Sequence, residues 1–300
     1  PNPEEPSALA MAVAVADKEG ADLVMATDPD ADRLGVVIRD DKGEFVALSG
    51  NQVGVLLLDY ILQRLSEDGV MPGNAAVVKS FVSTGMAKLL CDDYGVALYE
   101  TPVGFKFIGE KIKQWEQDNK HTYVFGFEES CGYLRGTHAR DKDAVAASLM
   151  ICEMAAYYKN KGKTLVDVLN DIYSEFGIYV NSLYNFAFEG ASGMVKMAEI
   201  MSETRNNPPK ELAGLKVLEV HDFEAGTITD TETGKSREIG LPKSNVLAYT
   251  LPDGNFAIVR PSGTEPKIKV YITGCGKTKE SATEIAENLG NAMKKLIKIG

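Results

Sequence analysis

Short apolar runs alternate with helical segments through the middle of the chain, and this alternation limits the possible folds more than any other feature. Apolar residues recur at helical spacing over residues 51–65, with Ser49 or Asn51 as the candidate N-cap. Strands are predicted at residues 75–79, 96–99 and 123–127, and further helices at 84–94, 105–117, 144–158 and 165–173. Strands separated by helices favour a mainly parallel sheet that helices cover. The sequence therefore predicts an α/β domain over residues 49–175.

The residues before this domain indicate part of another sheet. Apolar runs at residues 22–26 and 34–38 predict two buried strands, and Phe45 to Leu48 could add a third. A helix fits residues 8–18. We expect these residues to be the remnant of a sheet whose other strands lie before residue 1.

The pattern changes again near Gly177. Residues 179–186 alternate like a strand, residues 193–202 fit a helix, and the last helix is predicted at about residues 279–297. Short strands are predicted between the two helices, at residues 216–220, 246–250, 256–259 and 267–272. The sequence therefore predicts an α+β domain over residues 176–300.

The composition argues against several classes of function. A formal net charge of −11 is unlike that of nucleic-acid-binding proteins, which carry basic patches. No run of 18 apolar residues is present, so we expect no membrane span, and nothing resembles a secretory signal. The four cysteines form no CxxC pair and only three histidines occur, which argues against structural zinc and favours a reducing, cytoplasmic setting.

An acidic segment at residues 27–33 separates the first two predicted strands. Its aspartates, Asp28, Asp30 and Asp32, occupy every second position. Alternate side chains of an extended chain leave it on the same side, so the three carboxylates are expected to converge and to repel one another. A divalent cation would relieve that repulsion, and a ligand set made only of oxygen favours Mg²⁺, Mn²⁺ or Ca²⁺ over zinc.

Other interpretations of this segment differ in how well the sequence fits them. An EF-hand is excluded, because Arg33 and Arg39 occupy the positions where that loop needs Gly and Glu. A phosphatase of the haloacid dehalogenase kind, with Asp28 as nucleophile, would need Thr or Val where Asp32 stands. A solvated acidic turn without function is the remaining alternative.

Two further segments could bind a sugar. Val103-Gly104-Phe105-Lys106 opens a predicted helix, whose free amides, together with Lys106, suit an anion or a hydroxylated ligand, although an ordinary loop fits equally well. Glu128 and Ser130 follow an apolar strand directly, and a carboxylate can accept paired hydrogen bonds from neighbouring sugar hydroxyls. The alternative for Glu128 and Ser130 is a helix cap.

Two basic segments could bind phosphate. Lys142, in Arg140-Asp141-Lys142-Asp143, could act as a general acid or base near a phosphate, while Asp141 or Asp143 could cap the helix that follows. Arg260 precedes the turn Ser262-Gly263-Thr264 and offers a planar fork of donors that matches phosphate. This turn is not a P-loop, since it lies between two strands and lacks Gly-x4-Gly-Lys. A structural turn that binds no ligand is the alternative.

The five segments, in this order and spacing, resemble those of the α-D-phosphohexomutases, which are phosphoglucomutases and phosphomannomutases. The resemblance covers nearly the whole chain and implies three of the family's four domains around a cleft. Residues 1–48 would be the end of domain 2, residues 49–175 domain 3, and residues 176–300 domain 4. Domain 4 of the family is similar to the TATA-box-binding-protein-like fold.

The resemblance also implies roles for individual residues. Residues that would bind Mg²⁺ are Asp28, Asp30 and Asp32. Residues that would lie beside the reacting group are Arg33, next to the transferred phosphoryl group, and Lys142. Residues that would bind the sugar are Glu128, Ser130 and Lys106. Residues that would hold the phosphate that does not react are Arg260, Ser262, Gly263 and Thr264.

The implied activity is that of an isomerase, an intramolecular phosphotransferase that interconverts hexose 1-phosphate and hexose 6-phosphate through a phosphoserine and a bisphosphate. The family's Ser-His-Asn stretch does not occur in this chain. We therefore expect that the N-terminal domain is missing, that the chain alone is inactive, and that it binds Mg²⁺ weakly. Glu128-Glu129-Ser130 and Gly132-Tyr133 resemble glucose-directed more than mannose-directed enzymes. Mannose and pentose phosphates, and a sugar-phosphate-binding module without catalysis, stay open as alternatives.

Overall fold

The computed structural model describes residues 2–40, 42–188, 193–262 and 265–298. The chain forms two compact units, Pro1–Phe176 and Gly177–Gly300. Among the described residues, no helix has the length and apolar character needed to cross a membrane.

The first unit begins with a helix and a three-stranded antiparallel sheet. Its elements are α1 (Pro6–Glu19), β1 (Leu23–Thr27), β2 (Leu34–Arg39) and β3 (Phe45–Leu48), with the strands in the order β1-β2-β3. Leu9 and Ala16 of α1 form a small core with Val24 and Val37 of the sheet. Because Thr27 pairs with Leu34, the residues between them form the connection of a hairpin.

The rest of the first unit is a layered α/β structure. Its elements are α2 (Gly50–Glu67), β4 (Ala75–Ser80), α3 (Met86–Asp93), β5 (Ala97–Thr101), α4 (Phe105–Asp118), β6 (Thr122–Glu128), β7 (Gly132–Arg135), α5 (Ala144–Asn160) and α6 (Leu165–Phe176). The sheet order is β5-β4-β6-β7, in which β4 is parallel to β5 and β6, and β7 is antiparallel to β6.

Local sequence signals explain where these helices begin and why the sheet is buried. The Ser49 side chain accepts a hydrogen bond from the Gln52 backbone amide, and the Gln52 side chain accepts one from the Ser49 backbone amide. Together they form a capping box at the start of α2. Every residue of β4 is buried, as expected for a central parallel strand. Ile108 and Ile112 of α4 belong to a core with Val78 of β4.

The second unit is an α+β structure built on a seven-stranded antiparallel sheet. Its elements are β8 (Ile178–Ala187), α7 (Gly193–Asn206), β9 (Glu211–Leu212), β10 (Leu215–Lys216), β11 (Glu219–Asp222), β12 (Thr227–Asp230), β13 (Ser236–Glu238), β14 (Leu247–Thr250), β15 (Phe256–Pro261), β16 (Lys267–Gly276) and α8 (Lys279–Leu296). The sheet order is β13-β12-β11-β14-β15-β16-β8, and β9 pairs with β10 in a separate two-stranded sheet. Met201 of α7 and Met293 of α8 pack with Val259 and Val270 in the core of this unit.

The predicted architecture, α/β followed by α+β, is confirmed, while some elements differ from the prediction. β7, β9, β12 and β13 were not predicted, because they are short and most of them carry polar residues without clear alternation. The strand predicted at residues 216–220 is wrong, since the structure has two separate strands there. Between these strands Val217 turns into the core, where it is fully buried.

Candidate functional site

The connection between β1 and β2, residues 28–33, is here called the acidic turn, and Asp28 organises it. Asp28 is 5% exposed, and its Oδ1 accepts hydrogen bonds from the backbone amides of Asp32 at 3.2 Å and Arg33 at 3.1 Å. Its Oδ2 accepts a hydrogen bond from Arg33 Nε at 2.9 Å. Burial acts to raise the pKa of Asp28, but these hydrogen bonds outweigh it and lower the pKa to about 2. Asp28 is therefore ionised at neutral pH.

Arg33 is held on two sides. In addition to Asp28, its Nη1 lies 3.0 Å from Glu4 Oε1 and 3.5 Å from Asn2 Oδ1. Burial acts to lower the pKa of Arg33, but Asp28 and Glu4 together raise it. The guanidinium is thus fixed between the acidic turn and the segment before α1. Sequence reasoning missed Glu4, and no local signal could have found it, because its partner lies 29 positions away.

Lys142 reaches the acidic turn from the segment before α5. Its Nζ lies 2.8 Å from Asp32 Oδ2 and 3.2 Å from Asp141 Oδ1. Burial acts to lower the pKa of Lys142, but hydrogen bonds to these two carboxylates raise it. Asp143 is the N-cap of α5, since its Oδ1 accepts hydrogen bonds from two amides of the first turn at 2.9 and 3.0 Å. The predicted cap is therefore present in addition to a lysine directed at the candidate site.

The hairpin between β6 and β7, residues 128–132, lies against the acidic turn. It is here called the sugar hairpin, after the role predicted for it. Arg33 forms an isolated antiparallel bridge with Gly132, and the Leu34 amide donates to the Cys131 carbonyl at 2.9 Å. A Cβ atom at Gly132 would lie 2.7 Å from Lys142 Cδ, so a larger residue here would displace the lysine side chain. The acidic turn, the sugar hairpin and Lys142 are thus in direct contact.

Glu128 and Ser130 stand on the sugar hairpin. Glu128 is 8% exposed, and its Oε1 accepts a hydrogen bond at 2.6 Å from the amide of Gly104, the N-cap of α4. Burial, followed by the neighbouring Glu129, raises the pKa of Glu128 to about 7. Ser130 is partly exposed, and no described residue forms a hydrogen bond with its hydroxyl. The helix-cap interpretation of Glu128 and Ser130 is wrong, because strand β7 follows them.

The expected convergence of three aspartates is not found. No group of three His, Cys, Asp or Glu side chains in the described ranges is arranged to hold a metal ion. Ala31 has a left-handed φ of 55°, which breaks the alternation of an extended chain, so that Asp30 is exposed. Asp28 and Asp32 instead bind Arg33 and Lys142. The oxygen donors suit Mg²⁺ chemically, but their positions in this arrangement do not fit it.

Within the described ranges, Lys106 forms no hydrogen bond or ion pair with the sugar hairpin. Its side chain is exposed, and its ammonium lies 5.0 Å from the centroid of the Phe107 ring. Among the described contacts of this segment, the hydrogen bond from the Gly104 amide is the one that reaches Glu128.

The second unit carries part of the predicted phosphate turn. Arg260 lies at the end of β15, and Ser262 donates its amide to the Lys267 carbonyl at 2.8 Å. Gly263 and Thr264 lie outside the described residues. Lys269, which the sequence analysis missed, stands opposite Arg260 on β16. Like charges in this arrangement repel, and within the described ranges neither forms an ion pair, which suits an anionic ligand. Lys269 could have been found as the second cation of Lys267-Ile268-Lys269.

Three models of one protein family match the chain in order. They describe the alpha/beta/alpha domain II of phosphoglucomutase/phosphomannomutase at residues 1–43, domain III at residues 49–176, and the C-terminal domain at residues 197–292. Together the matches cover most of the chain.

Individual relatives agree with these matches. Proteins named phosphoglucomutase from Staphylococcus epidermidis and Staphylococcus aureus are 40% identical over 272 residues, which is 91% of this chain and 48% of each relative. The chain thus spans about half the length of these curated relatives. Among solved structures, pp63/parafusin of Paramecium matches 93% of this chain and 45% of its own at 20% identity, with a TM-score of 0.66. A phosphoglucomutase/phosphomannomutase family protein of Burkholderia thailandensis matches 100% of this chain and 52% of its own at 17% identity, with a TM-score of 0.64. At these identities the structures show a shared fold.

Proposed function

The chain belongs to the phosphoglucomutase/phosphomannomutase family, and on this premise we propose that it is the sugar- and phosphate-binding part of a phosphohexomutase. The longer protein would be an isomerase that interconverts hexose 1-phosphate and hexose 6-phosphate. One observation in the first unit supports this most strongly: the acidic turn, the sugar hairpin and Lys142 contact one another, through the Arg33–Gly132 bridge and the ion pair of Lys142 with Asp32.

The proposed roles follow from the chemistry of the side chains. An ionised Glu128 would accept hydrogen bonds from neighbouring sugar hydroxyls, and the Ser130 hydroxyl would bind the same sugar. Lys142 would exchange a proton with the hydroxyl that gains or loses the phosphoryl group, and Arg33 would balance charge on that group. In the second unit, Arg260 and Lys269 would bind the phosphate that does not react.

Mg²⁺ is part of the proposal for the longer protein, in which it would neutralise charge on the phosphoryl group. Since Asp28 and Asp32 are engaged by Arg33 and Lys142 in this structure, we assign no step of the reaction to the metal. The 300 residues contain no Ser-His-Asn stretch, so we propose that they bind sugar phosphate without interconverting it. The phosphoserine of a complete enzyme would come from an N-terminal domain of the same protein.

Titration calorimetry with glucose 6-phosphate tests the proposal. Wild-type chain is expected to bind it more tightly than inorganic phosphate, and a coupled assay is expected to detect no conversion of glucose 1-phosphate. Glu128→Gln and Arg260→Ala should each weaken binding. Equal affinity for glucose 6-phosphate and inorganic phosphate would refute sugar recognition. Parallel titrations with mannose 6-phosphate and ribose 5-phosphate test the substrate preference, for which we propose glucose because the Staphylococcus relatives are named phosphoglucomutase.

The two rival functions predict different results in the same experiments. A phosphatase would hydrolyse a generic phosphate ester, and Asp28→Asn would abolish that turnover. A binding module that uses only the phosphate turn would lose affinity on Arg260→Ala and would be indifferent to Glu128→Gln.

A further inference from the structure

A buried group of polar side chains lies behind the sugar hairpin and has no role in the function proposed above. It is formed at the end of β4 by Lys79, Ser80 and Ser83, together with Glu129 of the hairpin. Ser80, Ser83 and Lys79 are all buried, with 0%, 4% and 1% of their surface exposed. Buried polar and charged groups lower stability unless they are fully hydrogen-bonded. A functional role would explain why four such side chains are found together.

Glu129 joins this group to the hairpin through three hydrogen bonds. Its Oε2 accepts from Ser80 Oγ at 3.0 Å and from Ser83 Oγ at 3.3 Å, and its amide donates to Ser83 Oγ at 3.1 Å. The two serine oxygens are also 2.8 Å apart, and since each hydroxyl has a single hydrogen, each serine donates either to Glu129 or to the other serine at a given time. Side chain and backbone of the same residue are therefore fixed to the same short segment.

The segment from Ser80 to Ser83, which binds Glu129, is itself fixed by hydrogen bonds. The Ser83 amide donates to the Ser80 carbonyl at 3.0 Å, which forms a tight turn. Lys79 Nζ donates to the carbonyls of Ser83 at 3.1 Å and Ser80 at 3.3 Å, and to Glu100 Oε1 at 2.7 Å. The turn thus offers Glu129 a rigid pair of hydroxyl groups.

The hairpin needs such support because its backbone is strained. Cys131 has a left-handed φ of 59°, a conformation that costs a residue with a side chain about 1 kcal/mol. Gly50, at the start of α2, lies so close beneath the hairpin that a Cβ atom there would overlap the Glu129 carbonyl oxygen. Glu128 ends β6, and Glu129 and Ser130 follow it in the turn, so Glu129 stands between the two residues that are proposed to bind the sugar.

We propose that Glu129 is a positioning residue, which fixes the sugar hairpin through Ser80 and Ser83 so that Glu128 and Ser130 are presented to a hexose. This inference rests on the sugar-binding role proposed above. Glu129 would act on the ligand only through its neighbours. Its removal should therefore reduce recognition of the sugar and leave recognition of the phosphate group unchanged.

The first test needs no ligand. Hydrogen exchange would be measured on the full 300-residue chain for wild type, Glu129→Ala and the matched control Glu153→Ala. Glu153 also accepts a hydrogen bond from a hydroxyl, that of Tyr60 at 2.7 Å, but at α5. Glu129→Ala is expected to speed exchange of the Leu34 amide, which donates to Cys131, by about tenfold or more, with the core amides of β4 unchanged. Unchanged exchange at Leu34 would overturn the proposal.

The second test separates positioning from a general loss of structure. Calorimetry is expected to show that Glu129→Ala weakens glucose 6-phosphate binding by about tenfold and inorganic phosphate binding by less than about twofold. Glu129→Gln, which keeps the shape and one acceptor oxygen, should retain most of the affinity. Equal weakening of both ligands, or no weakening of either, would overturn the positioning role.

Two complications have defined outcomes. If Glu129→Ala does not fold, Ser83→Ala removes the shared serine instead, and the same two measurements decide between the alternatives. If wild-type chain binds glucose 6-phosphate no better than phosphate, the proposed function fails, whereas the exchange measurement still decides whether Glu129 fixes the hairpin.

Discussion

The sugar binding proposed for this chain should depend on pH in a way that Glu128 determines. Burial raises the pKa of Glu128 to about 7, so close to half of this carboxyl is protonated at neutral pH. A sugar hydroxyl donates more strongly to the ionised form. The ionised fraction is about nine tenths at pH 8 and about one tenth at pH 6. Affinity for glucose 6-phosphate should therefore fall about tenfold between pH 8 and pH 6 for this reason alone.

Calorimetry at several pH values would test this, with Glu128→Gln as the reference variant. The phosphate of the ligand also titrates near pH 6, but its titration affects both proteins equally and cancels in the ratio of their affinities. At pH 8 the variant should bind about tenfold or more weakly, because a charged acceptor is lost. At pH 6 the two proteins should converge. A ratio that is constant from pH 6 to pH 8 would refute the reasoning, since Glu128 would then not titrate in this range.

Three further predictions concern stability and metal binding. Burial raises the folded-state pKa of Asp59 to about 6, so its charge destabilises the fold above that pH and has no effect below about pH 4. Asp59→Asn should therefore add about 2–3 kcal/mol to the free energy of unfolding at pH 8 and nothing at pH 4. The control variant Glu110→Gln, at an exposed position, should leave the free energy of unfolding unchanged at both pH values. Urea titrations at pH 8 and pH 4 would check both expectations. Mg²⁺ should bind the chain with a Kd of about 1 mM or weaker, because cationic side chains occupy the acidic turn, and tight one-to-one binding by calorimetry would contradict this. Gly50→Ala should lower the free energy of unfolding by about 3 kcal/mol, because the added Cβ forces the Glu129 carbonyl to move. Gly73→Ala, at a position with open space around it, should lower it little. Chemical denaturation of both variants would distinguish these outcomes.

Local patterns in the sequence were sufficient for the architecture and for features that depend on neighbouring residues. The alternation of strands and helices predicted the α/β part, and the capping roles of Ser49 and Asp143 follow from residues within three positions of each. Such features are encoded within one turn of a helix, so that the rest of the chain hardly alters them. The order of the five segments was sufficient to predict the family.

The geometry of the candidate site could not be predicted in the same way. The alternation rule failed for the acidic turn because a single residue, Ala31, adopts a left-handed conformation that nothing in its side chain demands. The partners of Arg33 and Asp32 come from Glu4 and Lys142, which are far away in the sequence and meet them only in the fold. A carboxylate in a folded chain binds the nearest available cation, and tertiary contacts determine which cation that is.

The place of the sugar hairpin in the sheet gives an argument that does not depend on the family. Ligands of open parallel sheets bind beyond the carboxyl ends of the strands. β4 ends at Ser80, β5 at Thr101 and β6 at Glu128. The polar network behind Glu129, the segment that leads to the Gly104 amide, and Glu128 itself therefore all lie at the carboxyl ends of mutually parallel strands. A hydrophobic lining at this edge would make the fold more stable than the buried polar groups do. These polar groups are instead concentrated where a ligand would need fixed donors and acceptors. Substitutions at the opposite edge, such as Thr122→Ser at the start of β6, should accordingly leave sugar binding unchanged.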